Sequence, residues 1–188
     1  MRRANLAILL LVAIGAACTD PVIDDAVSKQ GKETSGVPQG EFHRAGQECT
    51  VCHTEGGPAS DKPFTVAGTV FAQPAREVGV GAAEVRMTDA EGTKFIAKTN
   101  CVGNFFVSPD DWQPHFPILV EVAKGNVQRS MKSVIGRASS CAHCHAFDVT
   151  PSDPLSQVGH IYLYGGDEPN LKDGALDCPV DPVRPGSE

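Results

Sequence analysis

Two short patterns carry most of the chemistry open to this chain. Residues 48–53 read "ECTVCH" and residues 139–147 read "SSCAHCHAF". Each holds two cysteines three positions apart with a histidine directly after the second: Cys49, Cys52 and His53, then Cys141, Cys144 and His145. Thiols at that spacing stand about one helical turn apart and share a face. Each pair could close as a local disulfide, leaving its histidine exposed. The four thiols could instead make one Cys₄ zinc site, with the histidines unexplained and an oxidising compartment working against free thiolates. A thioredoxin-like redox pair also uses this spacing, but it belongs in a βαβ pattern, which the sequence lacks.

The compartment is set by the first residues. "MRR" is basic, "ANLAILLLVAIGAA" is apolar and small, and the run stops at Cys18. That is the layout of a secretory signal peptide over residues 1–17, and it is short for a membrane span, which takes about 20 residues. Gly15 and Ala17 suit ordinary cleavage. Cys18 directly after them resembles the cleavage box of bacterial lipoproteins, although Gly15 stands where that family usually has Leu. The resemblance implies lipidation of Cys18 and anchoring to a membrane surface without spanning it. The expectation is an exported protein, periplasmic or held as a lipoprotein at the outer membrane or cell surface.

Net charge is −7, and loss of Arg2 and Arg3 with the leader makes the chain more acidic. An acidic chain is no candidate for nucleic acid; a basic redox partner suits it better. Seven cysteines are many for 188 residues. If Cys18 is lipidated and both pentads hold cofactors, Cys101 and Cys178 are left to pair as a disulfide, with no free thiol in an oxidising compartment.

The elements that must position the pentads are short. Residues 18–40 are polar with little periodicity and read as a flexible tether. Residues 41–63 form the first pentad segment, with a short helix expected over "EFHRAGQECTVCH". From residue 64 the pattern turns to strands: "FTVAGTVF", then "AEVRM" with Val85 and Met87 on one face, then a strand from Phe95, "NFFVS", and "FPILVEVA" with Ile118, Val120 and Val122 together. Gly and Asp turns separate them. The fold class is therefore mainly β, a small antiparallel β-sandwich over residues 64–125 flanked by short helical or loop segments. "NVQRSMKSVIGRASS" places Met131, Val134 and Ile135 at helical spacing and reads as a helix leading into the second pentad. "HIYLYGG" reads as a last strand, and residues 126–188 make the second pentad segment and tail.

Both pentads resemble the haem-attachment motif of c-type cytochromes. The resemblance implies two covalently attached haems. Cys49 and Cys52 would hold one, with His53 proximal on its iron; Cys141 and Cys144 would hold the other, with His145 proximal. Paired thiols can reach the two vinyl groups of one porphyrin, and the next residue then falls beneath the iron. Distal candidates are His43, His160, His115 and Met131, with Met87 and His143 behind them. Imidazoles on both sides give low potentials, and a methionine raises one. Met131 precedes its pentad, whereas in small mono-haem cytochromes the methionine follows it, and a core role is open to it.

Residues 64–125 are also similar to carboxypeptidase regulatory-like domains, transthyretin-like β-sandwiches, through Gly68, Val70, Val85, Asp89, Gly92, Thr99, Asn100, Gly103 and Phe105. Those domains are scaffolding or adhesive units; Cys101 departs from their pattern. The functional expectation is an electron carrier among redox proteins of the cell envelope. A small di-haem peroxidase-like enzyme stays open, as does a haemless surface module with disulfides or a metal clip. No Ser-His-Asp set, phosphate-cradling loop or carboxylate pair stands out.

Overall fold

The computed structural model describes residues 20–33, 35–74, 76–145, 158–164 and 178–180. The expected leader and Cys18 lie outside them.

Among the described residues eight strands form two four-stranded sheets. The strands are β1 (Val66–Gln73), β2 (Arg76–Gly79), β3 (Glu84–Thr88), β4 (Lys94–Lys98), β5 (Asn104–Val107), β6 (Leu119–Lys124), β7 (Val127–Ser130) and β8 (Ile161–Tyr162). The first sheet runs β2-β1-β5, with β8 laid parallel on β1; the second runs β4-β3-β6-β7. This is the sandwich expected from the sequence. Val85, Met87, Val120 and Val122 from the second sheet meet Val66, Val70, Phe105 and Val107 from the first in one core. Alternating burial along β3 follows the two-residue period of a half-covered strand.

β1 departs from that alternation. Its residues are buried from Val66 through Ala72, so both faces are covered. "VAGTVFA" is the continuous small and apolar run that such a strand needs. Even positions face the core. On the other face Phe71 packs at Gly46 and Thr69 bonds its amide, so the first pentad segment lies over the sheet.

Two elements differ from expectation. The helix expected in residues 126–136 is absent. Gly125 and Asn126 turn the chain between Lys124 and Val127, and β7 pairs back on β6. A two-residue Gly-Asn turn is a hairpin signal, and it overrides the helical spacing of Met131, Val134 and Ile135. Ile135 then bridges Ile118, and Met131 packs on the core.

The second difference is α1 (Pro21–Lys29), inside the stretch expected to be a flexible tether. Asp20 caps it by accepting from the Val22 amide at 2.9 Å, and Pro21 occupies the first turn. No residue of α1 is fully buried, but Ile23, Ala26 and Val27 stand at helical spacing and are half-covered, with Ile23 Cδ1 beside Gly56. Its end docks on the first pentad segment: Gln30 Oε1 accepts from the Glu48 amide at 2.9 Å.

Candidate functional site

The first pentad occupies α2 (Cys49–Cys52), a single helical turn. The rest of the helix expected over residues 41–53 is a series of turns. Those turns are held by the sandwich. Asn104 Nδ2 donates to the carbonyls of Glu41 (3.3 Å) and His43 (3.1 Å), and Asn100 Nδ2 donates to Glu41 O at 2.6 Å. Thr69 Oγ1 accepts from the Gly46 amide at 2.8 Å and donates to Asn104 Oδ1 at 2.7 Å.

Beyond α2 the chain folds back on itself. The Ala59 amide donates to Cys52 O and the Phe64 amide to His53 O, each at 3.0 Å. A Cβ on Gly57 would stand 2.3 Å from Cys52 O, so only glycine fits this return. The loop brings Lys62 O to 2.7 Å from His53 Nδ1. Phe64 stacks on the His53 ring with centroids 4.0 Å apart, and Phe106 backs Phe64 at 5.0 Å.

The second pentad lies along an edge of β1. Ser140 bridges Ala67, and Cys141–His143 make one 3₁₀ turn. No longer helix leads into it. Gly68 makes room for it, since a Cβ there would stand 2.7 Å from Cys141 Cβ and 2.9 Å from its sulfur. Despite these different settings the two pentads close the same backbone bond. The His53 amide donates to Cys49 O at 3.0 Å, and the His145 amide to Cys141 O at 2.9 Å.

Their side chains agree as well. His145 Nδ1 lies 2.9 Å from Gly159 O. A carbonyl only accepts, so Nδ1 carries the proton in both rings and Nε2 keeps its lone pair. No hydrogen bond from the described residues occupies either Nε2.

The other histidines are engaged differently. The Gly40 amide donates to His43 Nδ1 at 3.0 Å, which selects the opposite tautomer. The His43 ring lies 6.0 Å from His53, centroid to centroid. Burial, then the neighbouring His53, hold its pKa below the ordinary value. His160 is buried, with Nδ1 on the Glu77 carboxylate and Nε2 facing Gly46. His143 pairs with Glu48 and His115 with Glu91, the latter beside the second sheet. Met87 is sealed inside the sandwich.

The pentads meet. His143 Nδ1 stands 3.0 Å from Glu48 Oε1, joining the segments that flank Cys49 and Cys144. Burial pushes the Cys141 thiol up to about 12, and the nearby Cys49 adds to the shift. Burial likewise raises Cys49 to about 11, and it raises Cys52 as well.

All four pentad thiols are free, whereas Cys101 and Cys178 form a disulfide with an S–S distance of 2.00 Å. Among the described residues no group of three or more His, Cys, Asp and Glu converges to hold a metal ion. Each pentad holds the donor types a covalent haem would use, two unpaired thiols and an imidazole whose Nδ1–H is held by a carbonyl, with Cys141 buried against Gly68. Sequence reasoning singled out these six residues but not the groups that contact them. Lys62 and Gly159 act through carbonyls, which every residue type has. Glu77 reads as one more solvated carboxylate in a chain with 23 acidic residues.

No protein-family model matches the chain, and no curated protein and no solved structure is significantly similar to it.

Proposed function

We propose that the protein is an exported di-haem c-type cytochrome that carries single electrons between redox proteins of the cell envelope. One observation carries the reading. The two pentad histidines, and only these among the described histidines, present Nδ1 to a backbone carbonyl and leave Nε2 open. An iron ligand needs that arrangement, and a histidine beside a plain disulfide does not.

Haem, when bound, supplies the one-electron chemistry. The chain supplies the rest. Cys49 with Cys52, and Cys141 with Cys144, would tether each group through thioethers. His53 and His145 would ligate, their basicity raised by the bonds to Lys62 O and Gly159 O. His53 is 8% exposed, and Phe64 shields one face of its ring. Contact between the pentad segments supports exchange of the electron within one chain, with entry at one group and exit at the other. The acidic balance favours a basic partner. The N-terminal pattern supports export and a lipid on Cys18, and no helix among the described residues is long and apolar enough to cross a membrane.

The test is expression with export in a host that attaches c-type haem, followed by intact mass and visible spectra. The expected result is a mass gain of two haems that survives denaturation, with sharp bands on reduction. A colourless product of unmodified mass would sink the reading and leave a haemless surface module.

A further inference from the structure

The strongest feature outside the pentads is a buried carboxylate. Glu77, on β2, is 1% exposed. Burying a carboxylate costs several kcal/mol unless partners compensate it. Here Oε1 receives the His160 Nδ1–H and the Tyr162 hydroxyl together. These two residues flank Ile161, so one carboxylate grips β8 at both ends across β1.

β8 is only two residues long, and its parallel register on β1 spans Val70↔Ile161 and Phe71↔Tyr162. Such a short pairing holds a segment weakly by itself. The Leu163 and Tyr164 amides add bonds to Phe71 O and Ala72 O, and Arg129 Nε donates to Leu163 O at 3.2 Å. All of these lie after β8. On the side before it, the grip on His160 comes first, and the next residue back is Gly159, at φ 56°. Gly159 O is the acceptor for His145 Nδ1.

We infer that Glu77 is a positioning residue for the second pentad: by locking His160 and Tyr162 it sets the Gly159 carbonyl that orients the His145 ring. His53 needs no such device, because its acceptor, Lys62 O, sits in the loop that continues from its own pentad. An apolar residue at 77 would fill the space and spare the burial of a charge, but it could not hold two donors in one geometry. The consequence at an iron rests on the proposed haem attachment; the placement of the His145 ring does not.

The test reads the ring itself. In the full chain before haem attachment, long-range ¹H–¹⁵N correlation spectra report the tautomer of each neutral imidazole. Wild type is expected to show the Nδ1–H form at both His53 and His145. Glu77→Leu should convert His145 to a mixture of tautomers and leave His53 unchanged. Glu77→Gln should restore His145, since an amide oxygen also accepts two donors. An unchanged His145 in Glu77→Leu overturns the inference. So does a parallel change at His53, which would place Glu77 in the stability of the whole fold. Because these spectra need no haem, a failure to find haem by mass would end the cytochrome reading and leave this result standing.

Discussion

The two pentads share a sequence pattern and a backbone bond, yet they are built differently. The first is assembled from one continuous stretch, residues 41–64, draped over the outer face of β1 and fastened there by Asn100, Asn104 and Thr69. Its histidine finds an acceptor nine residues on. The second is wedged against the edge of β1, with its first thiol in the sandwich core above Gly68 and its histidine anchored to a carbonyl 14 residues away. The same local chemistry is thus supported once by a loop and once by tertiary placement. The first site should depend on its loop and on the polar residues that fasten it to the sandwich, and the second on packing against Gly68 and on the distant Gly159 carbonyl.

The sharpest break of that comparison removes one site at a time. Replacing Cys49 and Cys52 by Ser should halve the haem mass gain, as should replacing Cys141 and Cys144; intact mass of each variant checks it. Loss of one haem and no more from each variant would show that the sites load independently. Next in size is Cys101→Ser. It opens a disulfide joining positions 77 apart, for which loop-closure entropy gives about 4 kcal/mol. Denaturant unfolding should register that loss, and it should fall on the turn next to Asn100 and Asn104, at the first site.

Two single substitutions then separate the sites. Gly68→Ala would drive a methyl into Cys141 and should cost about 1–3 kcal/mol by overpacking, with haem loss confined to the second pentad. Asn104→Ala removes the bonds to Glu41 O and His43 O and leaves Thr69 without an acceptor. It should cost about 1–3 kcal/mol and act on the first pentad. Peptide mapping of the attached haem reads both; the opposite assignment would refute the contrast.

pH should distinguish the thiols in the haem-free chain. Burial lifts Cys141 from 9.0 to about 12. A thiol whose folded pKa is raised stabilises the fold fully below its unfolded pKa and loses that contribution as pH rises from 9 toward 12. Unfolding midpoints should fall over that window, and Cys141→Ala should flatten the fall. The smallest effect belongs to the contact between segments. The Glu48–His143 pair is half-exposed on the histidine side, so a double-mutant cycle should return no more than about 0.5 kcal/mol.

The sandwich was readable because its strands obey a two-residue period and end at Gly and Asp turns; Val85 with Met87 and Val120 with Val122 point inward as that period requires. The misread stretch, residues 126–136, shows the limit of the method. Met131, Val134 and Ile135 are spaced for a helix, but a two-residue turn at Gly125 and Asn126 lets β7 satisfy its backbone on β6 at once, and a ladder already in place outweighs weak propensity. α1 escaped notice for a different reason: its stripe is only Ile23, Ala26 and Val27, half-covered and set among polar residues, too short to stand out as a period.

What the sequence determined by itself is the pair of pentads, the sandwich that separates them and the two cysteines left to pair with each other. These are matters of residue type, local spacing and count. Tertiary structure alone decided that the pentads touch, that Gly68 yields its space to Cys141, and that Lys62 and Gly159 turn the two histidines the same way. The physical reason is that these contacts run through backbone carbonyls and through space left empty. Neither has a residue type of its own, so neither exists for a reader until the chain is folded.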